Sequence, residues 1–153
     1  MIDLPVYEFD GYTFRPATPA DQPLARRWNS VDPDHAWEMQ CPEHWIEQNI
    51  QTNCYVLEDA LGILFFVRST QELGREIEIS LQFDRERRMV SKQRAMGGME
   101  AGFAWLKKAL PMNGFKAIYF VSRNEELILF TEKKLGFVKD GMREIYRLEG
   151  TEA

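Results

Sequence analysis

At 153 residues the chain is one domain's worth of sequence and long enough to bury a substantial core. Hydrophobic residues at 44% and charged residues at 28% are ordinary globular values, and no apolar run approaches the roughly 20 residues of a membrane-spanning helix. A net charge of −5 argues against a nucleic-acid partner. Only two cysteines, Cys41 and Cys54, and no signal-peptide pattern after Met1 exclude a disulfide framework and point to the cytoplasm.

In chain order, the alternation of Tyr12–Arg15 predicts a first strand. Thr18 or Asp21 then caps a helix running to about Asn29. Asp32-Pro-Asp breaks the chain before a second helical stretch over about Ala36–Asn49, divided at Pro42, which donates no helical hydrogen bond. Cys54–Leu57 and Leu61–Arg68 form a hairpin across Glu58-Asp-Ala60. In Glu76–Phe83, Ile77, Ile79, Leu81 and Phe83 alternate with Glu76, Glu78, Ser80 and Gln82, so one face is apolar and the other polar. Met96, Met99, Phe103, Leu106 and Leu110 make one apolar stripe on a helix over about Ala95–Leu110. A strand (Phe115–Ser122), a helix (Glu125–Leu135) and a last strand (Met142–Leu148) complete the chain. With no repeat and no linker, this reads as one α/β domain over residues 1–153, a mixed sheet with helices on both faces.

Charge is unevenly spread. Trp28–Val67 holds no Lys or Arg but seven acids: Asp32, Asp34, Glu38, Glu43, Glu47, Glu58 and Asp59. Arg85–Arg94 holds five bases: Arg85, Arg87, Arg88, Lys92 and Arg94. Cys41-Pro-Glu-His44 is the only local metal-like spacing, and with His35 as the sole other histidine it makes a poor zinc site, so no metal is expected.

The strand Ala117-Ile-Tyr-Phe-Val121, Asn124, the helix after it and the stop Leu135-Gly-Phe137 resemble the last half of the GNAT superfamily of N-acetyltransferases. Phe14-Arg-Pro-Ala-Thr-Pro-Ala-Asp21 is similar to that family's opening, and the order of elements extends the resemblance over nearly the whole chain. It implies a mostly antiparallel central sheet, acetyl-CoA as co-substrate and a primary amine as acceptor, a peptide N-terminus, lysine or small cationic amine, and it leaves a homodimer open. It also implies a gap between strand Glu76–Phe83 and strand Phe115–Ser122, where backbone near Leu81 and Phe83 would pair with the coenzyme's arm. The family's phosphate turn, Arg/Gln-x-x-Gly-x-Gly/Ala, falls on Val90-Ser-Lys-Gln-Arg-Ala95, of which only Ala95 fits. A register starting at Gln93 places Gly98 last but Met96 in the middle. Ser91, Lys92, Gln93 and Ala95 are thus the candidate turn, with Arg88, Lys92 and Arg94 supplying the charge that the missing glycines do not. The competing reading is a solvated basic loop partly paired with Asp84 and Glu86.

Glu78 is the candidate general base, being a carboxylate on the polar face of that strand, with Glu76 as rival and a plain polar stripe as the alternative. The family's leaving-group tyrosine falls on Thr131, with one extra residue between Asn124 and Gly136. Tyr119 and Tyr146 read as packing residues. Asn124 reads as a helix cap that the resemblance also brings near the coenzyme. Trp28, Trp37, Trp45 and Met39 in the acidic segment would form an acceptor surface, or simply core. No Cys or Ser stands in a nucleophile motif, so direct transfer is expected, and a Cys54 nucleophile has no visible base. Against the transferase stands a second class, a binding or assembly module that has lost catalysis, favoured by Val90, Gln93 and Thr131. A third reading keeps the fold but uses another acyl donor or an aminoacyl group.

Overall fold

Asp10 and Gly11 have φ of 51° and 82°, the left-handed pair that a two-residue hairpin turn requires. They fold β1 (Tyr7–Phe9) onto β2 (Tyr12–Pro16). Only β2 is expected from alternation, yet Tyr-Glu-Phe-Asp-Gly-Tyr-Thr-Phe carries the hairpin signal in full. The computed structural model describes residues 6–33, 54–122, 124–141 and 145–151. The helix expected over 36–49, with Trp37, Met39, Cys41, His44 and Trp45, lies outside the described residues.

After β2, Asp21 accepts the Thr18 backbone N–H at 2.8 Å and its hydroxyl at 3.2 Å, which starts a 3₁₀ turn leading into α1 (Gln22–Ser30). Next come β3 (Cys54–Asp59), β4 (Gly62–Leu73), β5 (Glu76–Phe83), α2 (Lys92–Met112), β6 (Ala117–Phe120), α3 (Glu125–Phe130), β7 (Val138–Asp140) and β8 (Ile145–Glu149). The sheet runs β1-β2-β3-β4-β5-β6-β8-β7, antiparallel at each neighbouring pair except β5 and β6, which are parallel. The expected mixed, mostly antiparallel sheet is therefore what forms. Among the described residues no helix is long and apolar enough to cross a membrane.

Successive strand residues point to opposite faces, and that places the helices. Phe66 meets Trp28 of α1 edge-on at 5.6 Å, whereas a side chain at Gly98 of α2 would press on Leu64, Leu57 and Phe65. Helices α1 and α2 thus cover opposite faces of the sheet. A bulge after Leu57 puts Leu64 on the same side as Phe65, and both are fully buried or nearly so under α2. Gly98 is consequently a packing glycine: a Cβ there would lie 2.7 Å from Leu64 Cδ1. That removes it from the alternative phosphate register.

The run after Asn124 also has a physical account. Asn124 Oδ1 accepts the Leu127 N–H at 3.1 Å, helix α3 begins, and Thr131–Leu135 widens into a π-helical turn. A π turn accommodates one residue more than an α turn, which is how the extra residue before Gly136 is absorbed. Gly136, at φ 82°, closes the turn, and Phe137 drops between Phe103 and Phe120 at 5.5 and 5.2 Å. Strand β7, which pairs with β8, is not foreseen by the sequence reading, and residues 142–144 of the expected last strand lie outside the described residues.

Candidate functional site

Strand β5 is eight residues long but pairs with β6 over only three: Glu76 with Ala117, Ile77 with Ile118 and Glu78 with Tyr119. Its other edge stays paired with β4 through Phe83 opposite Phe65. From Ile79 onward β5 has no β6 residue paired with it, and β6 itself ends at Phe120, so the ladder on this edge of β5 stops halfway along the strand. The strand order that sends the chain from β5 through α2 to the parallel β6 puts the start of that helix at the same end.

A cleft of about 350 Å³ lies there, within the range of small-molecule sites. Phe83, Val90, Ala95, Met96, Met99, Leu127 and Phe130 give it apolar walls, and Arg85, Arg87, Ser91, Lys92, Asn124, Asp84 and Glu126 give it polar ones. The chain between β5 and α2 is tightly built. Asp84 is buried and its Oδ2 accepts the backbone N–H of Met89 at 2.6 Å and of Val90 at 3.1 Å. Arg87 N donates to Asp84 O at 3.0 Å, and Arg87 itself is left-handed at φ 54°, a conformation that strains a residue with a Cβ. Ser91 caps α2 by accepting the Arg94 N–H at 3.2 Å, so the helix starts three residues before the expected Ala95.

The structure sorts the expected site residues. Ser91, Lys92, Ala95, Asn124 and Phe83 line the cleft. Gln93 is exposed and outside the lining, as is Arg88, which lies 3.4 Å from Glu86. Arg94 is a correction: its guanidinium forks onto Asp59 at 2.9 and 2.7 Å and donates to Met89 O at 3.1 Å. With both arms of its fork on Asp59, Arg94 is not among the residues lining the cleft. Leu81 stands opposite Val67 on β4, and the Phe83 carbonyl accepts Gln82 Nε2 at 2.9 Å. Arg85 and Arg87, passed over for their neighbours, are cleft residues, as are Glu126, Leu127 and Phe130 of α3. A periodicity argument can place α3 but cannot say that its first turn faces the turn before α2.

Glu78 occupies the last paired position of β5, beside the buried Tyr119, on the α1 side of the sheet. Glu78 is not among the residues lining the cleft, which touches β5 only at Phe83, five residues further along the strand. The rival Glu76 is bonded to Arg147 Nε at 2.7 Å. Thr131 is buried and donates to Ile128 O at 2.9 Å, while Tyr146 stacks on Phe120 at 5.3 Å. Burial pushes the Cys54 thiol up to about 12, which removes it as a nucleophile near neutral pH.

The polar face of β5 is not a solvated stripe. Gln82 is fully buried; it accepts Asn29 Nδ2 at 3.1 Å and donates to Asp32 at 2.9 Å and to Trp28 O at 3.3 Å. Asp32 in turn takes Arg85 at 3.2 Å. This network pins the end of β5 to the end of α1. Of the two readings of Trp28, acceptor surface or core, the structure gives core: it is 3% exposed. Among the described acids of the acidic segment, Asp32, Glu58 and Asp59 bind Arg85, Arg15 and Arg94.

This architecture has solved counterparts. Over 96% of this chain and 99% of the other, it matches an acetyltransferase of the GNAT family from Bacillus anthracis at a TM-score of 0.71 and 13% identity. The chain has the GNAT fold. Two further GNAT-fold neighbours are the ribosomal-protein-S18-alanine N-acetyltransferase of Escherichia coli (TM-score 0.62, 16% identity, 93% of this chain and 96% of that one) and the spermidine N-acetyltransferase of Vibrio cholerae in complex with CoA and spermine (0.62, 16%, 93% and 97%). The chain matches no family model and no curated protein sequence. Identities this low carry the GNAT architecture alone, so the chemistry rests on the residues. Among the described residues no group of three or more His, Cys, Asp or Glu is arranged to hold a metal.

Proposed function

We propose that the protein is an acetyl-CoA-dependent N-acetyltransferase acting on a primary amine by direct transfer. The observation that carries this reading is the end of the β5–β6 ladder after Glu78 and Tyr119, beside a cleft with Arg85, Arg87 and Lys92 on its wall. The thioester donor supplies an activated acetyl group, and its arm is suited to the β5 edge beyond Glu78, where the ladder with β6 has stopped. Lys92, Arg87 and the start of α2 are the groups suited to its diphosphate. On the other side of β5, Glu78 accepts the proton that the amine must lose as its nitrogen bonds to the acetyl carbon. The sulfur leaves with the electron pair of the broken C–S bond and takes a proton from water, since the buried Thr131 offers no phenol. The acceptor is a peptide N-terminus, a lysine or a small cationic amine. The solved GNAT-fold neighbours named for ribosomal-protein alanine and for spermidine keep a protein acceptor and a small cationic amine in view.

A second reading, a GNAT-fold binding or assembly module without catalysis, is favoured by one feature. Asp84 holds the Met89 and Val90 N–H groups within the turn, where an incoming phosphate would want donors. Calorimetry with acetyl-CoA separates the two. The transferase is expected to bind with a dissociation constant on the order of micromolar, about −8 kcal/mol. Absence of binding at millimolar coenzyme would end the acetyl-CoA reading.

A further inference from the structure

Each of the three cations lining the cleft faces a carboxylate. Arg85 goes to the buried Asp32, behind the wall. Lys92 and Arg87 converge on Glu126, which reaches across from the first turn of α3: Lys92 Nζ is bonded to Glu126 Oε1, and an Arg87 nitrogen lies 3.9 Å from the same oxygen. Glu125 shares that first turn, where either carboxylate suits the helix N-terminus, but of the two only Glu126 lines the cleft. The contact therefore does more than satisfy a helix end. It puts a negative charge on the two basic side chains that an anionic ligand would use.

From this we infer that Glu126 is the residue that sets how strongly the cleft takes a diphosphate, by holding Lys92 and Arg87 until the ligand displaces it. The inference rests on the coenzyme reading above and concerns its specificity. A diphosphate and the Glu126 carboxylate cannot share Lys92 without like-charge repulsion, so the carboxylate must swing aside. Glu126 and Lys92 are both about half exposed, so the bond between them is weak and the swing is easy. Ligands that lack the diphosphate do not contest Lys92 and gain nothing from removal of the charge. Glu126 thereby narrows the advantage of a complete coenzyme over its neutral arm.

The test is calorimetry of CoA and of pantetheine, its arm without phosphates, on the wild type, Glu126→Gln and Glu125→Gln. Glu126→Gln is expected to tighten CoA by roughly threefold to tenfold, with pantetheine unmoved and Glu125→Gln within about twofold of wild type. If wild type binds CoA and Glu126→Gln binds it no tighter, or if pantetheine tightens equally, the role given to Glu126 is wrong while the coenzyme reading stands. If neither protein binds CoA at millimolar concentration, the coenzyme reading itself fails and takes this inference with it.

Discussion

Glu78 and Arg94 show how similar-looking sequence signals part company once neighbours are known. Both are charged residues in the expected place. Glu78 ends up at the last rung of the β5–β6 ladder, whereas Arg94 is spent on Asp59, whose carboxyl it holds below the usual range. Their substitutions should therefore separate. If Glu78 is the proton acceptor proposed above, Glu78→Gln is expected to lower turnover roughly a hundredfold or more while coenzyme affinity stays within a factor of two. Turnover equal to wild type would remove Glu78 from the mechanism. Arg94→Ala should do the reverse: it should lose about 0.5–1 kcal/mol of stability in urea unfolding, the worth of a partly exposed ion pair, with coenzyme affinity unchanged. A weakened affinity at unchanged stability would return Arg94 to the cleft.

At the scale of elements, legibility followed periodicity. Strand β5 was readable to the residue because Ile77, Ile79, Leu81 and Phe83 alternate without a break. Helix α2 came out three residues longer at its start because Ser91 caps it, and two longer at its end because Pro111 sits in its last turn. Strands β1 and β7, three residues each, are too short for alternation to register. The entry to α1 carries its own pH signature. Burial pushes the Asp21 carboxyl up, but the Arg15 guanidinium at 2.8 Å and the Thr18 N–H outweigh it and hold it below the ordinary value. A carboxylate depressed on folding contributes stability that is present above its unfolded pKa and is lost as pH falls towards its folded one. Thermal unfolding of wild type should thus weaken from about pH 4 downward by more than that of Asp21→Asn. Parallel curves for the two proteins would show that the pair contributes nothing.

For the molecule as a whole, the GNAT fold was visible in Leu135-Gly-Phe137 and the order of elements, since a left-handed glycine followed by a buried phenylalanine is a local signal with a local cause. The site was visible only in part. Ser91, Lys92, Ala95 and Asn124, named from the sequence, lie on the cleft wall. Arg85, Arg87 and Glu126 lie there too but were not named, because their place depends on which turn faces which helix across the cleft. The early end of the β5–β6 ladder has no sequence signal: a strand that loses a partner halfway reads like any other strand. That the coenzyme lies along this edge of β5 is the central claim, and a crystal structure grown in millimolar CoA tests it most directly. The pantetheine arm is expected between β5 and β6 beyond Glu78 and Tyr119, with the diphosphate within reach of Lys92 and Glu126 moved off it. Coenzyme bound elsewhere, or β5 and β6 free of any ligand at saturating concentration, would contradict the account.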